Sequence, residues 1–164
     1  MEIRRAKTEN LDRILQIYEQ AKIFMRQQGN HNQWTGGYPG AETILEDIAR
    51  GDFFLCMEKE EILGVFCFFC RPDPTYAKIY DGAWLNDEPY GVIHRIAVSA
   101  HRKGVAAACY EYALTQCDNL RIDTHTDNFP MQRSLAKNGF TYCGVIHLAN
   151  GDPRIAFQKK KDTI

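Results

Sequence analysis

The stretch from Val92 to Cys109 limits this chain more than any other. Val92-Ile93-His94-Arg95-Ile96-Ala97-Val98 is rich in β-branched residues and reads as a strand. His101-Arg102-Lys103-Gly104 follows as a tight basic turn, and Gly104 lets the backbone bend closely. From Val105 the apolar residues Val105, Ala108, Cys109, Tyr112 and Ala113 recur at helical spacing. A strand that passes through a glycine turn into a helix N-terminus makes an anion site. The first N–H groups of the helix lack intrahelical partners, and the helix dipole favours negative charge there.

The remaining elements can be read around this unit. Glu2 to Ala6 reads as a strand, and a helix capped by Thr8 runs to about Gln28. Gly29 to Gly40 is a polar loop carrying Trp34 and Tyr38, which either line a cleft or cover the core edge. Ala41 to Arg50 is a short helix. Phe53–Glu58 and Ile62–Cys70 form a hairpin, which Arg71-Pro72-Asp73-Pro74 ends. Thr75 to Tyr90 has no clear periodicity and reads as an acidic and aromatic surface containing Asp81, Asp87 and Glu88. Leu120–Thr124 is a strand, and Asp127-Asn128-Phe129-Pro130 opens a helix that Asn138-Gly139 closes. Phe140–His147 and Arg154–Gln158 form a terminal strand pair. With no repeat or linker, residues 1–164 read as one α+β domain with a mixed, mostly antiparallel sheet flanked by helices.

A length of 164 residues with 45% hydrophobic and 25% charged residues fits a globular domain with a sizeable core. A net charge of −1 argues against a general nucleic-acid or membrane-surface binder. No apolar run has the length of a membrane span, and the first residues lack a signal-peptide core, so the expected location is cytoplasmic. Cys67 and Cys70 form a C-x-x-C, but no second pair follows at zinc spacing. The six cysteines read as free core thiols, with no metal site expected.

Two motifs give a resemblance to the GNAT superfamily of acyl-CoA-dependent N-acyltransferases. Ile96-Ala97-Val98 followed by His101-Arg102-Lys103-Gly104-Val105-Ala106 is similar to that family's phosphate loop, with His101 where Gln or Arg is usual. Asn128 followed by Gly139-Phe140 is similar to its next helix and strand. The order of elements matches along the whole chain. The resemblance implies acetyl-CoA as co-substrate, with the backbone N–H groups of Arg102, Lys103, Gly104, Val105, Ala106 and Ala107 cradling its pyrophosphate. It also implies that the main chain of Ile96, Ala97 and Val98 pairs with the pantetheine arm beside a bulge that splays the strands. Asn128 would bond the pantetheine or a water, and an N–H near Ile96 or Ala97 would stabilise an oxyanion. Many members carry a Tyr acid seven residues after the Asn; here that position is Leu135. Either another group protonates the thiolate or it leaves unprotonated, since thiols titrate near pH 8.5.

An alkylammonium must lose a proton before it attacks a thioester. His94 lies where the family often places its base, and imidazole suits the task. By strand alternation His94 shares a face with Ile96 and Val98, so a packed structural role is the other reading. His125 sits at a strand end and shares parity with Asp123, so the two either face the cleft together or bond local loops, with Asp127 capping the helix. Trp34, Tyr38, Asp81 and Glu88 are the residues expected to meet a cationic or amphipathic acceptor. Cys109 lies on the apolar stripe and reads as core.

The expected activity is acetyl transfer to a primary amine of a small molecule by direct attack in a ternary complex. A protein amino group is the alternative acceptor, and a non-catalytic acyl-CoA-binding domain is the alternative class. A homodimer is possible. A P-loop nucleotide site is a third and disfavoured class, since the G-x-x-x-x-G-K-[ST] order is missing and no metal-binding Asp is placed for it.

Overall fold

The computed structural model describes residues 1–99 and 102–162. The hairpin of β2 (Phe53–Glu58) and β3 (Glu61–Phe69) pairs on one side with β1 (Glu2–Arg5) and on the other with β4 (Gly91–Val98). After β4 come α3 (Val105–Gln116), β5 (Asn119–Thr124), α4 (Phe129–Lys137), β6 (Thr141–His147) and β7 (Pro153–Lys160). Two helices precede the hairpin, α1 (Leu11–Gln27) and α2 (Ala41–Ala49). The seven-stranded sheet has the order β1-β2-β3-β4-β5-β7-β6. Every pair is antiparallel except β4 with β5, so the α+β architecture expected from the sequence is the observed one.

The core has two faces. Phe54, Phe66, Phe68, Ile93, Leu120, Ile122 and Phe157 pack with Val105, Cys109, Tyr110 and Leu135 on the α3–α4 side. A second cluster joins Phe53, Leu55, Val65, Cys67 and Ala97 to Ile14, Ile17, Tyr18 and Ile44 of α1 and α2. The segment 70–90 covers the rest, with Tyr76 against Val92, Ile146 and Ala156. This segment was expected to be surface. Instead its aromatic residues cap the sheet: Trp84 Nε1 donates to the Tyr76 carbonyl at 3.0 Å, and Trp84 and Tyr90 flank the Arg121 guanidinium at 4.2 and 4.1 Å.

Local chemistry corrects several boundaries. Thr8 does not cap α1. Thr8–Asn10 is a short turn of 3₁₀ helix, and Asn10 Oδ1 accepts from the Lys7 N–H at 2.8 Å, which moves the helix start to Leu11. Asn128, not Asp127, caps α4, its Oδ1 accepting from the Met131 N–H at 3.2 Å. The α3 stripe includes Tyr110 and Leu114, because this helix is covered on more than one side. A spacing of three on a strand turns side chains to opposite faces. Cys67 is accordingly buried, while Cys70, just past β3, is exposed rather than in the core. No helix among the described residues is long and apolar enough to cross a membrane.

The sharpest departure lies in β4. Arg95 has a left-handed backbone (φ +53°), and Arg95 with Ile96 stands opposite the single residue Phe66 between the pairs Cys67↔His94 and Val65↔Ala97. This bulge breaks the alternation, so Ile96 and Val98 pack with Ile93 against α3 and α4, whereas His94 does not share their face. Buried Tyr18 donates its hydroxyl to the Arg95 carbonyl at 2.6 Å and holds the bulge. Tyr18→Phe should therefore destabilise the fold by about 1–3 kcal/mol, the cost of leaving a buried acceptor unpaired. Denaturant unfolding checks this, and an unchanged midpoint would contradict it.

Candidate functional site

The bulge lies where the sheet divides. β4 pairs with β5 only at Gly91↔Leu120 and Val92↔Arg121. From Ile93 onward the β5-facing edge of β4 has no strand beside it, because β5 continues along β7. The Arg95 side chain turns away and is fixed, with Nη2 donating to Asp47 Oδ2 at 2.5 Å and Nη1 to the Tyr38 hydroxyl at 2.9 Å.

Two cavities meet at this division. One of about 400 Å³ runs along Ile96, Ala97 and Val98 between α1 and the pair α3–α4, with Ala106, Tyr110 and Ser134 on its walls. The other, of about 470 Å³, is lined by Gln33, Tyr38, His94, Asp123 and Arg154 among others. Trp34, Ile96, Asn128, Met131 and Met25 border both. Each volume is within the range of small-molecule sites.

The first cavity fits a coenzyme. Gly104 (φ +82°) precedes α3, and no side chain among the described residues caps that helix. The Ala108 N–H returns to the Gly104 carbonyl at 3.0 Å, so the N–H groups of Val105, Ala106 and Ala107 have no helical acceptor. Val105 anchors the turn in the core, while Ala106 and Ala107 are small and half-buried. Arg102 is exposed and pairs with Glu58 at 2.7 Å; Lys103 is exposed as well. His101 lies outside the described residues. Asn128 is buried at the junction, and its Nδ2 donates to Gln33 Oε1 at 3.0 Å while its Oδ1 caps α4. Leu135 is fully buried, whereas the Tyr110 hydroxyl lies 3.5 Å from Ser134 Oγ on the cavity wall. Burial pushes the Tyr110 phenol up to about 12, so it stays protonated.

The second cavity holds the acid–base groups. His94 Nε2 lies 2.6 Å from Asp73 Oδ2. A carboxylate only accepts, so this bond assigns a proton to Nε2 and leaves Nδ1 as the ring nitrogen turned away from Asp73. Asp73 is itself fixed, since Oδ1 accepts from the Thr75 N–H and hydroxyl at 2.8 and 2.7 Å. Burial alone would raise the Asp73 pKa, but the bonds from His94 and Thr75 hold it down at about 2. The His94 ring rests between Phe69 and Tyr76, at 5.8 and 6.1 Å. Tyr76 donates to Asp123 Oδ2 at 2.6 Å.

The other expected residues fall in different places. His125 does not line the cavity. Its Nδ1 accepts from the Asp127 N–H at 3.0 Å, and burial with nearby Arg154 lowers its pKa. Asp123 reaches the cleft without it. Trp34 and Tyr38 line the cavity, and Arg26 holds their loop by donating to the carbonyls of Asn30, Gln33 and Trp34 at 2.9, 2.9 and 3.0 Å. Asp81 is exposed beside the Tyr80↔Val145 bridge, and Glu88 pairs with Lys160 at 3.1 Å; neither lines the cleft. Cys109 is buried, and its neighbour Cys56 with burial raises its thiol pKa strongly. Sequence reasoning missed Asp73 and Gln33, and took Tyr76 only as the start of an acidic and aromatic segment suited to a cationic acceptor. The proline-flanked Asp73 read only as a sheet breaker, and nothing local marked Gln33.

Residues 11–140 match the model of the acetyltransferase (GNAT) family. The chain belongs to the GNAT family. An acetyltransferase of this family from Streptococcus agalactiae 2603 is 31% identical, with a TM-score of 0.90 over 99% of this chain and 96% of the other. One from Bacillus cereus ATCC 10987 shares the fold at 23% identity and a TM-score of 0.64, over 99% and 98% of the two chains. So does the ribosomal-protein-alanine N-acetyltransferase of Brucella melitensis, at 17% and 0.63, over 98% and 99%. No curated protein matches the chain. GNAT enzymes use acetyl-CoA and act on amines of small molecules or proteins.

Gly104→Glu should weaken coenzyme A binding by about 100-fold or more, because an anion would stand at the helix N-terminus. Gly104→Asn tolerates the left-handed backbone without adding charge and should keep most of the affinity. Calorimetry with coenzyme A reads both, and equal affinities for Gly104→Glu and wild type would contradict the assignment.

Proposed function

We propose that this GNAT protein transfers the acetyl group of acetyl-CoA to a primary amine of a small molecule in a ternary complex. The observation that carries this reading is the junction of the two cavities at the β4 bulge, with the His94–Asp73 pair on the acceptor side. Acetyl-CoA supplies an activated acetyl thioester. The α3 N–H groups from Val105 to Ala107, with Arg102 and Lys103 nearby, hold its pyrophosphate, and the free edge of β4 from Ile96 to Val98 pairs with its arm. An N–H near Ile96 or Ala97 stabilises charge on the acetyl oxygen.

On the acceptor side, His94 Nδ1 takes one proton from the ammonium, while Asp73 holds the opposite nitrogen and balances the imidazolium. The freed lone pair forms the C–N bond, the C–S bond breaks, and the second amine proton leaves to sulfur or solvent. With Leu135 in the core, the hydroxyls of Tyr110 and Ser134 are the donors on the cofactor wall. Trp34 and Tyr38 shape the acceptor side. A small molecule is favoured over a peptide because the cavity is walled by the Arg26-held loop and the turn before β7.

His94→Gln should lower kcat by about 10²- to 10⁴-fold and remove the acid limb of the kcat/KM–pH profile. Asp73→Asn should lower kcat by about tenfold or more with little change in KM. Thiol release with acetyl-CoA and an amine panel measures both. Binding of acetyl-CoA without turnover of any amine would instead identify a binding module, and an unaltered pH profile in His94→Gln would remove His94 from the mechanism.

A further inference from the structure

The charges lining the acceptor cavity do not all cancel. Asp73 faces His94, and Arg95 faces Asp47. At the mouth, exposed Asp152 and half-buried Arg154 carry opposite signs. Asp123 is different. It is half-buried on β5, its Oδ2 accepts the Tyr76 hydroxyl at 2.6 Å, and it makes no ion pair with any Lys, Arg or His of the described residues. Tyr76 is fully buried, and burial with the Asp123 charge pushes its phenol well above its usual value, so it remains the donor. Its second oxygen, Asp123 Oδ1, accepts no hydrogen bond from the described residues and is open to the cavity. Tyr76 also fixes its place relative to His94, because the Tyr76 and His94 rings lie 6.1 Å apart.

We propose that Asp123 is the seat of the acceptor's ammonium group, which makes the acceptor a primary alkylamine that enters as a cation. This rests on the acetyl-transfer reading. A ligand filling the cavity strips water from Asp123. An ammonium replaces that water with a charge-assisted bond, whereas a neutral arylamine or alcohol offers an uncharged donor and leaves the desolvated carboxylate without a countercharge. Asp123 holds one N–H of the ammonium while a second passes to His94 Nδ1, so binding and deprotonation fall to different groups. The cavity therefore selects on charge before chemistry begins.

The test takes the best acceptor from a panel of primary alkylamines and its neutral alcohol isostere as a competitive inhibitor. Asp123→Asn should raise the amine KM by about 10- to 100-fold. It should leave the alcohol bound at least as well as in wild type and the affinity for acetyl-CoA unchanged. Equal losses for amine and alcohol would show a merely structural role and overturn the proposal, as would an unchanged amine KM. If wild type binds acetyl-CoA but acetylates no alkylamine, the acetyl-transfer reading fails first and the ammonium seat falls with it. If it acetylates alkylamines but Asp123→Asn matches wild type, only the seat fails.

Discussion

The site depends on one backbone residue in an unfavourable conformation. A left-handed arginine inside a strand costs on the order of 1–2 kcal/mol, and its surroundings hold it there. Tyr18 from α1 bonds its carbonyl, Asp47 from α2 and Tyr38 from the intervening loop bond its guanidinium, and Phe66 faces the bulge from β3. Both N-terminal helices therefore meet at Arg95. Without the extra residue, β4 would keep strict alternation, and Ile96 and Val98 would both leave the cluster they share with Ile93. The bulge also marks the place where β4 goes on without β5 as a neighbour. The strain and the opening of the sheet occur together, and the opening joins the two cavities.

Much of this was legible in the residues, for reasons that differ from element to element. The strand, glycine turn and helix from Val92 to Cys109 were plain because all of their signals are local: β-branching, a flexible residue, then a change of period. Asn128 was legible as well, since its place before Phe129-Pro130 is a helix start. The face of His94 was misjudged because it was read from plain alternation, although the family resemblance implied a bulge beside Ile96 to Val98; the residues themselves do not mark that the extra one falls at Arg95. Asp73 was passed over because two prolines made it look like a simple breaker. Asp81 and Glu88 were chosen for their charge within an acidic segment, yet that segment turns its aromatic residues inward and leaves those two carboxylates on the rim.

The covering segment is also tied to the sheet by amide side chains. Asn119, Gln158 and Asn86 form a connected buried network, with Asn119 Nδ2 donating to Asn86 Oδ1 at 2.9 Å and Gln158 Nε2 to Asn119 Oδ1 at 2.8 Å. Such networks fix one arrangement when every member is satisfied. They pin residues 84–90 to β5 and β7, and Tyr76 is held through Trp84. A sequence reading treats these amides as loop polarity, because their partners lie more than thirty residues away.

The two cavities divide the proton chemistry unequally. On the acceptor side stand His94, Asp73 and Asp123, each with a defined partner. On the cofactor side the wall is mainly apolar, and Tyr110 is the titratable side chain along it, held protonated by burial. The imbalance follows the chemistry. An alkylammonium near pKa 10 must give up a proton before it attacks, whereas a thiol near 8.5 leaves tolerably as the thiolate. In the proposed reaction the demanding transfer therefore falls on the side where His94 and Asp73 stand. On that reading a hydroxyl that donates a hydrogen bond to sulfur is enough at the other end, and Leu135 is compatible with turnover because its side chain serves the core against α3.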